Sequence, residues 1–537
     1  ASANGVQISV EPGTYIEDID FTNKAISIIS TGGSVLTKIE APASSTNDMI
    51  LASGNFTFDG FAISGNNSVP YYGILLPQYS TYSVTITNCV FTEVVTAIGI
   101  AGLSNGSVSI TNCVFTEVVT AIASFSLVGA LEIVECEFYK NTTDISIEKT
   151  AGPIAIRQST FQESGSCISV NMSSGAAAGG VTLMEVNQCY FDNNNNSFYA
   201  SLIGVSDVDE LNLIDCSFDN NNLYGPVIYV SDVDELNLID CSFQSNYNLN
   251  SMLYLGADTQ VVSGCLFTNN SSGPSLIYAE SPLWQGTATL SVKRCLFIYN
   301  YSSESTITSD IKATVNSCTF TFNTTANERI LTTNNQLEIK SSIFWNNYSA
   351  INNSNLFGPF YPGADLSYSC IQDMSQYGIA GIGCIDSDPM FTSQVSYDFS
   401  LLLNSPCIDA GDPNGSAEPD GTIPDMGAIY FDQSGSIPNY TITNLIAGQY
   451  ADFYISQAGV NLPVIIGYSL TGPGPTTTSY GVLDMSPPIQ TLVALQSDAS
   501  GNVSFSPLVP PGASGITLYT QALCGGILSN SLAQTTQ

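Results

Sequence analysis

The 537-residue chain carries 46 acidic and only 10 basic side chains, no histidine, and a formal charge of -36. That balance leaves no basic footprint for nucleic acid and repels phosphate and anionic lipid surfaces, so cations are the natural electrostatic partners. No apolar run approaches the ~18 residues of a membrane-spanning helix, and without histidine no Cys–His nucleophile can be assembled.

Taken in order, residues 1–45 read as an N-terminal cap and first coil. The start, ASANG without Met, fits a mature secreted protein, and VQISVEPGTYIEDIDFTNKAISIIS alternates as short strands around a Pro-Gly turn. Repetition follows. Val84–Ile98 (VTITNCVFTEVVTAI) returns at Val108–Ile122 (VSITNCVFTEVVTAI), 24 residues on, and weaker copies run down the chain as LEIVECEF, LNLIDCSFDNN, VVSGCLFTNN, VKRCLFIYN and KSSIFWNN. A period in this range marks a solenoid.

Three ladders run through the repeats. Ten of the fourteen cysteines share one position: Cys89, Cys113, Cys136, Cys189, Cys216, Cys241, Cys265, Cys295, Cys318 and Cys370, with Ser159 and Ser342 in the gaps. Phenylalanine stands two residues later, from Phe91 to Phe344, and asparagine five residues after the cysteine position, from Asn141 to Asn347. Cys and Phe at a spacing of two face the same way on a strand, here inward. The Asn falls at a turn, where it can bond the backbone of its own turn and the amide one coil away. Stacked coils lie ~4.8 Å apart, whereas a disulfide needs Cβ atoms near ~3.8 Å, so the ladder cysteines read as buried thiols. Cys167, Cys384, Cys407 and Cys524 fall outside it, with Cys384–Cys407 or Cys370–Cys384 as candidate bridges.

Several segments carry a family likeness. The Gly13–Tyr15 turn followed by Lys24–Ile26, and NFTFDGFAIS at Asn55–Ser64, resemble the first coils of secreted right-handed parallel β-helix proteins of the pectate-lyase-like fold. Asp386–Tyr430, with DPMF, SPCIDAGDP and DGTIPDMGA, resembles the closing segment of such proteins in bacteria. ASGNVSFSPLVPPGASGITLYTQAL resembles part of their appended C-terminal β-domains. The expected fold is all-β: a right-handed parallel β-helix of about 12–14 coils over residues 46–437, then an Ig-like β-sandwich over 438–537, where short strands alternate with turn signals.

Candidate sites lie outside the ladders. Asp409, Asp412, Asp420 and Asp425 cluster with Gly and Pro; they read as turn and capping carboxylates, with a Ca²⁺ site as the alternative. A second duplication, Val205–Phe218 and Val230–Phe243, stacks Asp207 on Asp232 and Asp209 on Asp234. That is a solvated outer face, or a Ca²⁺ or partner surface. Tyr71, Tyr72, Tyr79 and Tyr82 are candidate sugar-stacking aromatics.

Pectate-lyase-like enzymes need acidic Ca²⁺ ligands with an Arg or Lys base, and Arg157, Arg294, Arg329 and the seven lysines sit in no such motif. Polygalacturonase-like sites combine Asp with a His, which is absent. The expected function is therefore a non-enzymatic, secreted extracellular structural protein, a self-assembling fibre, filament or sheath subunit whose partner is itself. The alternatives are an adhesin or carbohydrate-binding β-helix engaging extracellular glycans, and then a polysaccharide lyase or hydrolase. No cofactor is required; Ca²⁺ is the one candidate.

Overall fold

The computed structural model describes residues 5–22, 24–42, 48–65, 72–77, 82–102, 106–125, 129–148, 152–171, 181–196, 199–282, 287–326, 329–349, 365–375, 380–403, 405–432, 438–459, 461–478, 481–498, 500–525 and 527–537. It falls into two compact units, Ala1–Pro389 with Asp409–Gly415 and Pro424–Ile429, and Met390–Ile408 with Ser416–Ile423 and Tyr430–Gln537.

The first unit is a parallel β-solenoid. A coil is built from three short strands, for example Ser83–Thr87, Val90–Thr92 and Thr96–Ile100, each paired in parallel with the equivalent strand of the next coil. The second strands form one sheet of fifteen members, running from Gly13–Ile16 to Cys370–Ile371. The first and third strands form two faces. They merge where the duplicated VSDVDELNLI segments make unbroken strands at Ile203–Ile214 and Ile228–Ile239. Those strands bend at Asp207 and Asp232, both at positive φ.

Apolar alternation supplies the interior. The phenylalanine rungs are fully buried, with centroids 4.5–5.1 Å apart and planes within 9° from Phe91 to Phe344. Register continues this row as Tyr15, Ile39 and Ile63 before Phe91 and as Ile371 after Phe344. Ladder thiols are buried and face backbone carbonyls: Cys295 Sγ lies 3.2 Å from Lys293 O and 3.4 Å from Val262 O.

The Asn ladder forms, with one difference from the expected bonding. Each amide reaches back one coil instead of closing its own turn. Asn246 Nδ2 donates to Phe218 O at 2.8 Å and to Asn270 Oδ1 at 3.0 Å, while its Oδ1 accepts from Asn221 N and Nδ2. The same set recurs from Asn194 to Asn323.

None of the fourteen cysteines, all among the described residues, is joined in a disulfide, which corrects both candidate bridges, Cys370–Cys384 and Cys384–Cys407. The Cys370 thiol is turned to Ser387 O at 3.1 Å and that of Cys384 to Ile382 O at 4.0 Å.

In the second unit, antiparallel sheets share a core. Asn439–Thr443, Asp452–Ser456 and Val503–Phe505 form one sheet; Pro463–Ser469, Gln490–Gln496, Thr517–Cys524, Ile527–Leu528 and Leu532–Thr535 form the other. Tyr440, Phe453, Ile455, Val464, Ile466 and Ala522 are buried together between them.

Candidate functional site

The acidic candidates do not converge. Asp425 is buried and accepts the Asp409 amide at 2.8 Å; Asp412 accepts the Asn414 amide at 2.9 Å and lies 3.8 Å from Lys340 Nζ; Asp420 accepts Thr422 N and Oγ1. These are turn-closing bonds. Asp409–Gly415 and Pro424–Ile429, from the last two elements of the closing segment, belong to the first unit and bond its last coils: Asp412 N donates to Ser341 Oγ, Gly427 N to Ser341 O and Ala428 N to Thr319 Oγ1. Asp207 is raised above its ordinary carboxylate value by partial burial and then by the Asp232 charge one rung away. Among the described residues no three acidic or cysteine side chains are gathered so as to hold a metal ion.

The tyrosine candidates fare unevenly. Tyr82 is buried and donates to Pro77 O at 3.2 Å, so it offers no ring to a ligand. Tyr72 is half-buried, and its ring occupies the space that a side chain on Gly99 would fill. Tyr71 and Tyr79 lie outside the described residues. Arg157, one of the three arginines considered as a lyase base, is clamped between Glu185 and Glu132 at 3.0 Å each. The Glu185 bond first, then the two carboxylate charges, raise it further.

A different cluster stands out on the third-strand face. Cross-coil register aligns Gly204, Tyr229, Tyr254, Tyr278 and Thr308. All point outward, because residues at this position alternate with buried ones. The three rings form a column with centroids 5.0 and 5.2 Å apart. Gly204 contributes no ring to stack ahead of Tyr229, which is 38% exposed. Two residues along each strand, a second outward row holds Gly256 and Glu280, and Asp310 and Asn334 follow on the next coils. Tyr278 Oη donates to Asp310 Oδ2 at 2.7 Å, Asn334 Nδ2 donates to Asp310 Oδ1, and the Glu280 carboxylate acts on Tyr254. Partial burial, then the neighbouring carboxylate, pushes both Tyr254 and Tyr278 well above the ordinary phenol value. The result is a surface where aromatic carbon, hydroxyls, an amide and two carboxylates lie side by side. Such a surface can bind a flat, hydroxyl-rich ring: apolar ring faces pack on tyrosine and hydroxyls bond the acceptors.

No protein-family model matches the sequence, and no curated protein matches it. Among solved structures the chain is similar to the Agl-KA catalytic domain, at 12% identity over 64% of this chain and 62% of that one, with a TM-score of 0.30. It is also similar to pectate lyase Pel9A, at 14% identity over 80% and 89%, TM-score 0.19. A third is the A-module of the Azotobacter vinelandii mannuronan C-5 epimerase AlgE6, at 10% identity over 68% and 91%, TM-score 0.24. The shared feature is the parallel β-helix. At these identities the likeness shows the fold alone. It does correct one expectation: the structures found are a catalytic domain, a lyase and an epimerase, so the expected absence of enzymatic activity does not stand.

Among the described residues, no helix is long and apolar enough to cross a membrane.

Proposed function

We propose that this chain is an extracellular β-helix that binds polysaccharide on the outer face of its middle coils. The single observation behind the reading is the Tyr229–Tyr254–Tyr278 column set beside Glu280, Asp310 and Asn334. A structural column would bury its rings, as the Phe ladder does, whereas Tyr229 keeps more than a third of its surface in solvent. The test is an array of neutral and acidic polysaccharides probed with the intact protein, followed by Tyr229→Ala and Tyr254→Ala. Binding to at least one polysaccharide, weakened about tenfold by either substitution, supports the reading. An array with no binding overturns it.

A second reading has its own observation. Glu280 and Asp310 stand on successive coils, about 4.8 Å apart along the solenoid. Two carboxylates at close range are the equipment of a retaining glycoside hydrolase. Release of new reducing ends, abolished by Glu280→Gln and by Asp310→Asn while binding persists, supports hydrolysis. Self-assembly into a fibre is the reading that the ladders alone suggest; no face of the described residues supports it as directly as the tyrosines support glycan binding.

A further inference from the structure

The solenoid carries a second set of exposed tyrosines on another face. The residue after each rung of the Asn ladder opens a two-residue strand that pairs from coil to coil. Register there aligns Asn195, Asn222, Tyr247, Ser271, Tyr301, Thr324 and Tyr348. The first residue of each strand points out, and the second, such as Asn248, Ser302 or Thr325, is buried. Tyr247, Tyr301 and Tyr348 are 49%, 42% and 50% exposed. They alternate with Ser271 and Thr324, so a tyrosine recurs on every second coil. Two coil rises are about 9.6 Å, too far for these rings to stack on one another.

We propose that this row is a binding track for an extended, uncharged, β-linked polysaccharide lying along the solenoid axis, with every second sugar ring seated on a tyrosine. The proposal rests on the glycan-binding reading but uses a different face. Three features of the row select this ligand. Two coil rises match the length of an extended disaccharide, so three collinear tyrosines fit a straight chain and not a curled α-glucan. The residues between them carry small hydroxyl groups and no charge, while the net charge of -36 opposes a uronate polymer. The spacing is also fixed before any ligand arrives. Asn246, Asn300 and Asn347, directly ahead of each tyrosine, are buried ladder rungs, and the tyrosine amides bond Asn221 O, Asn270 O and Asn323 O at 2.8 Å each. A rigid row loses little freedom on binding.

The experiment is calorimetric titration of the intact protein with cellohexaose, chitohexaose, maltohexaose and a galacturonate hexamer. Three variants accompany the wild type: Tyr301→Ala, the paired swap Tyr301→Thr with Thr324→Tyr, and Tyr254→Ala on the other face. The swap keeps composition and tyrosine number while breaking the two-coil spacing. The expected result is preference for cellohexaose or chitohexaose, affinity that rises with chain length to about five rings, and at least tenfold weakening in both Tyr301 variants. Preference for maltohexaose or the galacturonate, or a paired swap that binds like the wild type, overturns the proposal. Weakening by Tyr254→Ala alone overturns it while leaving the glycan-binding reading intact. No binding of any of the four sugars, here or on the polysaccharide array, overturns both.

Discussion

Asp144 is an acid sealed inside the solenoid. The Asn ladder is interrupted at the next coil by Ser164, whose shorter side chain leaves room that Asp144 fills. Its Oδ1 accepts Asn141 Nδ2 at 2.8 Å and Ser164 Oγ at 3.0 Å. Burial pushes its pKa up to about 7, against the pull of those bonds and of Cys167. The folded chain thus keeps a proton that the unfolded chain releases near the ordinary carboxylate value of 3.8. The stabilisation is fully present below that value and is lost as pH rises towards 7. Asp144→Asn keeps the shape and the Oδ1 acceptor without the charge. It should raise stability at pH 8 by a few kcal/mol and change little at pH 4. Urea unfolding at both pH values checks this, and an unchanged pH slope would sink it.

At the scale of the coil, two one-residue turns do the bending. The residue before the Cys/Ser rung (Asn112, Glu135, Gln158) and the one before the Asn rung (Glu117, Lys140, Glu163) sit at φ of +50° to +57°. Their side chains point outward, and their amides still bond the next coil, as Glu117 N does to Tyr139 O. The sequence hid these turns because almost any polar residue serves at an exposed left-handed position. The inner ladders, by contrast, were legible, because a narrow interior accepts few side chains. The tyrosine faces were missed for a third reason. Tyrosine is a common surface residue, and its recurrence marks a face only when read against the ladders. Two signals were available: Tyr229, Tyr254 and Tyr278 each stand thirteen residues after a ladder cysteine (Cys216, Cys241 and Cys265), and the dipeptide Asn-Tyr occurs at 246–247, 300–301 and 347–348, in step with the Asn ladder. Removing a ladder rung should be costly. Asn246→Ala strands the Phe218 carbonyl and the Asn221 amide in the interior, and a loss of about 3 kcal/mol or more is expected in denaturant unfolding. A loss below about 1 kcal/mol would mean that the amide ladder contributes no more than one ordinary hydrogen bond.

At the scale of the whole first unit, stability is close to one-dimensional, since each coil touches only its neighbours. The thiols report on it. Every ladder cysteine is buried, and in this unit Cys384 alone is half-exposed. Burial holds the Cys295 and Cys167 thiols well above their ordinary value, which makes them poor nucleophiles. Iodoacetamide applied to the native protein should modify Cys384 alone in this unit. With rising denaturant, the middle rungs from Cys189 to Cys295 should react last, because a solenoid frays from its ends. Peptide mass spectrometry reads the order, and early modification of Cys241 would contradict it.

The tyrosines at 247, 301 and 348 recur on alternate coils, but the chain has gained coils singly, as its near-exact duplications of 24 and 25 residues show. A single extra coil leaves packing untouched and lengthens the rod by one rise. Inserted between two of these tyrosines, it would turn an even interval into an odd one and put every later ring out of phase. Length is therefore free to drift in this fold while parity is not. Both duplications, at Val84–Ile122 and Val205–Phe243, lie before Tyr247, where a new coil leaves the phase of the row unchanged.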